Sequence, residues 1–234
     1  MTATPSSATP YPLGRIPEFD ERSRSFAWAP PTTPSKRPQV VSHRVYGARL
    51  NQRKVGACTG FALTGARNTH PNHVTGEKAF GDDTGRQVYA LATTLDTIPG
   101  AWIDDGTELG AGQDTGSSGL AACRAGVQLG LITRYEWCFG LDHLLDTLPY
   151  HPVIVGTDWT EDMFSPDAHG LVRATGATAG GHEWLIKGYH LGHRLIFGVN
   201  SWGREWGLGG EFVMPFDDVD LLLHRHGDVK VPIR

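Results

Sequence analysis

Apolar residues change their spacing midway along the chain, and this change limits the folds open to it. Up to about residue 148 they recur at helical intervals, which predicts helices near residues 58–66, 87–95, 117–130 and 141–148. Short apolar runs in the second half predict strands at residues 153–155, 183–189, 195–199 and 211–213, with Leu191-Gly192 as a hairpin turn. Helices first and strands later indicate an α+β protein with two lobes, and a cleft between lobes is a common place for a site.

The N-terminal part is poor in residues that could form a core. Residues 1–12 are mostly Thr, Ser, Ala and Pro, and we expect a disordered tail there. Residues 13–42 remain rich in proline, and we expect them to run extended over the surface of a domain formed by residues 43–234. In that domain we expect a helical lobe over about residues 50–135 and a β-rich lobe over about residues 136–234.

Charge and hydropathy exclude several classes of function. The chain has 234 residues and a formal net charge of −4 at pH 7, so we expect no nucleic-acid partner. No apolar run approaches the roughly 20 residues of a membrane helix, and the N-terminus shows no secretory signal. We therefore expect no membrane partner and a protein that is cytoplasmic where it is synthesised. Release by lysis or by a non-standard export route stays open.

The three cysteines, Cys58, Cys123 and Cys138, are too few for a disulfide scaffold and too scattered for a zinc site. We therefore expect no metal and no cofactor. A lone cysteine is most often a small buried hydrophobic residue. We expect this role for Cys123, because it shares a helical face with Leu120 and Val127.

Cys58 differs from the other two because it lies where the chain enters a predicted helix. Unpaired N–H groups and the helix dipole at such a position favour the thiolate, which is the nucleophilic form. Gln52, six residues upstream, can return its side-chain amide toward the thiol. With the Cys58 backbone N–H it would form an oxyanion hole.

Two residues in the second half complete this chemistry. His182 follows Gly180-Gly181 at the start of a strand, where the glycines leave room for a substrate beside the imidazole. Asn200 follows the next strand, and its amide oxygen can hold the tautomer of the imidazole. Trp202 can cover that hydrogen bond and exclude water. A lone strand histidine and a strand-terminal asparagine are each more often structural, so the combination carries the prediction.

These segments resemble the active-site motifs of papain-like cysteine peptidases. Residues 52–66 resemble the Gln-x5-Cys segment and its helix, and residues 180–189 resemble the Gly-His strand that ends in Gly-Tyr. Residues 200–212 resemble the Asn-Ser-Trp-Gly-x-x-Trp-Gly-x-x-Gly-x-Phe motif almost residue for residue. The resemblance covers about residues 14–216 and implies the papain-like α+β fold with two lobes. It is closest in style to bacterial or phage members without a long prodomain.

The resemblance implies a peptidase that binds an extended peptide or protein substrate across its cleft. The residues implied to be catalytic are Cys58, His182, Asn200 and Gln52. The residues implied to contact the substrate are Gly116, Gly181, Glu183 and Trp202.

Three positions depart from the family pattern. Thr59 replaces a tryptophan, and Val55 replaces a structural cysteine, which agrees with a reducing compartment. Glu183 follows His182 where the family usually has Ala or Gly. Strand alternation turns Glu183 away from the imidazole, toward the position that lines the main specificity pocket in the family. A carboxylate there favours a basic substrate side chain, and the alternative is an ion pair with a neighbouring Arg or Lys.

Two other functions stay open at this point. One is another Cys–His enzyme on the same fold, such as a peptidoglycan-peptide hydrolase, an amidase or a transpeptidase. The other is a catalytically silent module for binding or assembly. The combination of Gln52, Cys58, His182 and Asn200 argues against a silent module.

Overall fold

An antiparallel sheet of seven strands forms the centre of the structure, a computed structural model that describes residues 9–31 and 36–234. In chain order the strands are β1 (Val40–Ser42), β2 (Trp102–Ile103), β3 (Ala111–Gly112), β4 (Arg134–Cys138), β5 (Val153–Thr160), β6 (Thr178–His190), β7 (Leu195–Val199), β8 (Glu211–Pro215) and β9 (Asp228–Ile233). The main sheet has the order β4-β9-β5-β6-β7-β8, and β1 pairs with β6. Strands β2 and β3 form a separate hairpin.

In residues 9–31 and 36–234, five α-helices pack on the two faces of this sheet. They are α1 (Cys58–Arg67), α2 (Asp82–Leu95), α3 (Gly119–Gln128), α4 (Gly140–Thr147) and α5 (Phe216–Arg225), and 3-10 helices span Glu21–Phe26 and Glu161–Phe164. Within the described part of the chain, no helix is long and apolar enough to cross a membrane.

The two faces of the sheet have separate cores. Apolar residues of α1, α2 and α3 pack against one face, where Leu63 of α1 lies in the same cluster as Leu185 of β6. Apolar residues of α4 and α5 pack against the other face, with Leu144 and Leu222 in the cluster that contains Trp184 of β6. Successive residues of β6 therefore face different layers, as the pleat of a strand requires.

The four helices predicted from helical spacing are present as α1 to α4, and the predicted hairpin is present as β6 and β7. The α+β class is confirmed. Sequence analysis missed α5, β1, β2, β3, β4 and β9. In β9, Asp228 and Lys230 interrupt the apolar pattern, yet all six residues of the strand are buried.

The N-terminal expectations need correction. Residues 1–8 of the expected tail lie outside the described residues, but Tyr11 and Pro12 make defined contacts with Trp202 and Gln52. The expected surface course of residues 13–42 is also wrong for its first part. Arg15 is only 3% exposed, because the chain there enters the cleft rather than crossing the surface.

Candidate active site

His182 and Asn200 meet because neighbouring strands carry them. Strands β6 and β7 are antiparallel with Leu185 opposite Val199, and Asn200 directly follows β7. Asn200 Oδ1 lies 2.8 Å from His182 Nε2. An amide oxygen only accepts hydrogen bonds, so Nε2 carries the proton and Nδ1 holds the lone pair. The predicted contact between these two side chains is confirmed.

Aromatic rings enclose the imidazole of His182. Trp202 stacks on it with 4.6 Å between ring centroids, as predicted, and Trp159 meets it edge-on at 4.9 Å. The Asn200 oxygen also accepts from the backbone N–H of Ser201 at 2.8 Å, which fixes the orientation of the amide. Burial lowers the pKa of His182 to about 4, so the ring is neutral at pH 7.

Cys58 is the first residue of α1 and is fully buried. Burial raises the pKa of its thiol to about 12, although backbone N–H groups of Glu183, Gly14 and Thr59 favour the thiolate. The sequence predicts a thiolate at Cys58, but burial of both side chains favours the neutral thiol and the neutral imidazole in this structure.

The side chain of Gln52 is held in place beside the entrance to α1. Its Oε1 accepts from Ser201 Oγ at 2.6 Å, and its Nε2 donates to the Val55 carbonyl at 2.8 Å. Nε2 also donates to the carbonyl oxygen of Pro12, at 3.3 Å. The amide thus presents a donor to a peptide carbonyl in the cleft, which is the contact that an oxyanion hole requires.

Residues 11–16, here called the strap, run through the cleft beside these side chains. The backbone N–H groups of Gly14 and Arg15 donate to the carbonyl oxygen of Gly181 at 3.1 and 3.0 Å. On the other side, Ser117 donates to the Gly14 carbonyl and accepts from the N–H two residues further along the strap, each at 2.8 Å. The strap therefore joins the start of β6 to the segment before α3 through its backbone.

Three of the four residues predicted to contact a substrate touch the strap. A side chain at Gly181 or Gly116 would collide with a carbonyl oxygen of the strap. The indole of Trp202 stacks on the Tyr11 ring with 4.7 Å between centroids. The backbone hydrogen bonds between the strap and the segment before α3 are made by Ser117, one residue after Gly116.

The fourth residue, Glu183, is fully buried on the face of β6 opposite His182, where alternation places it. Its Oε1 pairs with Lys230 Nζ at 3.2 Å, and Lys230 also contacts Asp228. Asp228 Oδ2 pairs in turn with Nη2 of Arg15 from the strap, at 2.9 Å. Burial raises the pKa of Glu183 to about 7. Burial acts on Asp228 in the same direction, but Lys230 and Arg15 outweigh it and lower the pKa of Asp228.

Sequence analysis assigned no role to Asp228, Lys230 or Asp114. A signal for Asp228 and Lys230 does exist in the sequence. They are charged residues at alternate positions of the otherwise apolar run of β9. Asp114 accepts from the backbone N–H of Gly56 at 2.8 Å and from the Tyr89 hydroxyl at 2.5 Å. It therefore ties the loop before α1 to the segment before α3, and positions both sides of the cleft.

Comparison with solved structures identifies the fold. Xylellain, a cysteine protease from Xylella fastidiosa, superposes with a TM-score of 0.72 and 18% identity over 99% of each chain. Digestive procathepsin L2 from the larval midgut of Tenebrio molitor gives a TM-score of 0.67 and 18% identity over 97% of this chain and 81% of that one. The bromelain protease from Ananas comosus, solved with the E64 inhibitor, gives a TM-score of 0.58 and 16% identity over 84% of this chain and 99% of that one.

These likenesses show that the chain has the papain-like fold. No protein-family model matches the sequence, and no curated protein matches it significantly. At 16 to 18% identity the likeness carries the architecture alone. The chemistry of the site has to be argued from its own residues.

Proposed function

We propose that this protein is a cysteine peptidase that hydrolyses peptide bonds, with Cys58 as nucleophile and His182 as its acid and base. The observation that carries the proposal is the hydrogen bond from His182 Nε2 to Asn200 Oδ1. It leaves Nδ1 as a base with no hydrogen-bond partner among the described residues. Cys58 is the first residue of α1, and this helix packs against β6, the strand that carries His182.

The reaction begins with transfer of the Cys58 thiol proton to His182 Nδ1. The sulfur then attacks the carbonyl carbon of the scissile bond, and the carbonyl oxygen gains negative charge. Gln52 Nε2 and the Cys58 backbone N–H donate hydrogen bonds to that oxygen. His182 returns the proton to the leaving nitrogen, the C–N bond breaks, and a thioester remains on Cys58.

A water molecule completes the turnover. His182 removes its proton, the oxygen attacks the thioester carbon, and the acid product leaves as the thiol is restored. Asn200 keeps the ring in one tautomer throughout, because its oxygen accepts from Nε2 and cannot donate to it. The indole of Trp202 shields this hydrogen bond from solvent.

The strap supports a mode of peptide binding in this cleft. It is bound through backbone hydrogen bonds to Gly181 and Ser117, which are independent of side-chain identity. We therefore expect peptide and protein substrates to bind extended between β6 and the segment before α3. By likeness to the bromelain complex, we also expect the E64 inhibitor to block the enzyme.

The test is peptide release from casein by the purified full chain under reducing conditions, followed by mass spectrometry. Wild type and Cys123→Ala should release peptides, and Cys58→Ala should release none while keeping a native circular dichroism spectrum. Activity that survives Cys58→Ala contradicts the proposal. Release of peptides from purified cell wall but not from casein would assign the same site to peptidoglycan-peptide hydrolysis.

A further inference from the structure

Arg15 is the one residue of the strap whose charged side chain enters the protein interior. Its side chain has no exposed surface, and its Nη2 donates to Asp228 Oδ2 at 2.9 Å and to the His226 carbonyl at 2.6 Å. The backbone on both sides of it is bound to the walls of the cleft. A guanidinium group is therefore placed in a pocket by a segment that lies where a peptide substrate is expected.

The pocket that receives this side chain is acidic and lies beneath Gly156 of β5. A side chain at Gly156 would come within 2.5 Å of Arg15 Nε, 2.6 Å of Glu183 Oε2 and 2.8 Å of Asp228 Oδ1, so glycine leaves the space that the guanidinium fills. Two carboxylates face one ammonium, that of Lys230. Asp228 contacts both Lys230 and Arg15, so its carboxylate is the group that an entering cation meets.

The pocket also holds polar groups that the internal ion pairs leave unsatisfied. Within residues 9–31 and 36–234, Glu183 Oε2 and the Nε and Nη1 atoms of Arg15 are buried without a hydrogen-bond partner. These atoms are unpaired while Arg15 occupies the pocket, so the guanidinium is held through Nη2 alone, by Asp228 and the His226 carbonyl. Lys230 occupies only the other oxygen of Glu183, Oε1.

We propose that the pocket formed by Asp228, Glu183 and Gly156 selects an arginine side chain of the peptide substrate, and that Arg15 fills it in the resting enzyme so that the strap closes the cleft. This inference rests on the proposed peptidase function and names its substrate class. The strap must leave the cleft before a substrate binds, and it takes the guanidinium of Arg15 with it. An arginine of the substrate then replaces that positive charge. Asp228 is then the specificity-determining residue, and the His226 carbonyl supplies the second acceptor.

The first experiment compares turnover by wild type, Arg15→Ala and Arg15→Lys, all as full chains. The substrates are two fluorogenic peptide libraries, identical except that one carries arginine and the other citrulline, its neutral isostere, at each position in turn. Arg15→Ala should be at least about tenfold faster than wild type, and should favour arginine over citrulline at one position by about 10- to 100-fold. Arg15→Lys, which keeps the charge and loses the planar fork, should lie between wild type and Arg15→Ala.

Two further variants control this experiment. Arg22→Ala removes another N-terminal arginine, whose ion pair with Asp20 is exposed, and should behave as wild type. Adding Asp228→Asn to Arg15→Ala should reduce the preference for arginine to within about threefold. Equal rates for wild type and Arg15→Ala, or equal use of arginine and citrulline by Arg15→Ala, would overturn the inference.

A binding experiment separates this inference from the peptidase proposal. The double variant Cys58→Ala, Arg15→Ala is titrated with a labelled peptide of residues 9–18, carrying either arginine or citrulline at the place of Arg15, and fluorescence anisotropy is followed. The arginine peptide should bind at least about tenfold more tightly. Equal affinity overturns the pocket assignment even if the enzyme cleaves peptides, whereas tight arginine binding without any turnover would leave the pocket intact and refute the peptidase.

Discussion

The guanidinium of Arg15 and the carboxylate of Asp228 lie 2.9 Å apart although 213 positions separate them in the chain. Both groups are almost completely buried. Removing one partner would therefore leave the other as an unpaired buried charge, which is costly in free energy. The pair links the strap in the cleft directly to β9, an interior strand of the sheet.

Cys58 should become more reactive when the strap loses its anchor. In Arg15→Ala the cleft admits water, so the pKa of the Cys58 thiol should fall from about 12 and the thiolate fraction should rise. Alkylation by iodoacetamide at pH 8, followed by peptide mass spectrometry, should be at least about tenfold faster than in wild type. Cys123 and Cys138 are buried in the cores and serve as internal controls, and their rates should not change. A Cys58 rate equal to that of wild type would contradict this view of the strap.

Asn200→Ala should lower kcat by about 100-fold, because the imidazole loses the acceptor that fixes its tautomer. The protein should remain folded, since Trp202 and Trp159 still enclose the ring. Asn72→Ala is the matched control. Asn72 is also a buried asparagine, but it donates to the carbonyl oxygens of Ala66 and Pro232, so its loss should lower stability and leave kcat unchanged. An equal loss of kcat in both variants would make Asn200 merely structural.

Gln52→Ala should lower kcat by about 10²- to 10³-fold, the usual effect of removing one oxyanion donor. Alkylation of Cys58 in the Arg15→Ala background should be unaffected, because that reaction forms no oxyanion. Ser201→Ala removes the hydrogen bond that holds Gln52 Oε1 and should give a smaller loss. An unchanged kcat in Gln52→Ala would show that its amide only anchors the loop.

The free energy of unfolding should fall as the pH is lowered from about 6.5 to about 4, partly because of His182. Burial depresses its folded pKa to about 4, so the unfolded chain binds more protons in this window and stability rises with pH. The contribution of His182 is about 3 kcal/mol. Urea denaturation of wild type and of His182→Asn at both pH values measures this contribution. The fall in the free energy of unfolding should be smaller in His182→Asn by that amount. Substitution of the exposed His224 should leave the loss unchanged.

Asp114→Ala should destabilise the protein by about 1–3 kcal/mol, because the Gly56 N–H and the Tyr89 hydroxyl lose their common acceptor. Tyr89→Phe removes only one of these bonds and should cost less. Chemical denaturation gives both values. If Asp114→Ala is as stable as wild type, the connection between the two sides of the cleft does not depend on this carboxylate.

The sequence allowed prediction of those parts of the site that depend on local structure. Cys58 begins a helix, and Asn200 follows a strand that forms a hairpin with the strand of His182. The local structure around each of them can therefore be predicted from residues close to it in the sequence. The strap could not be predicted in this way. Its partners Gly181 and Ser117 are more than 100 positions away, and a proline-rich segment looks the same whether it crosses a surface or a cleft. Asp228 and Lys230 were missed because buried charges have meaning only beside their partners.

The position of β9 has a consequence for the order in which the protein is made. This strand lies between β4 and β5 in the sheet, but it is translated after both of them and after β6, β7 and β8. The ribosome therefore produces the strap and all the residues assigned to catalysis before it produces Asp228. Until that strand inserts, the sheet is split and the arginine pocket does not exist. A chain still attached to the ribosome should thus lack both the substrate preference and the anchor of its own strap, and should acquire the two together.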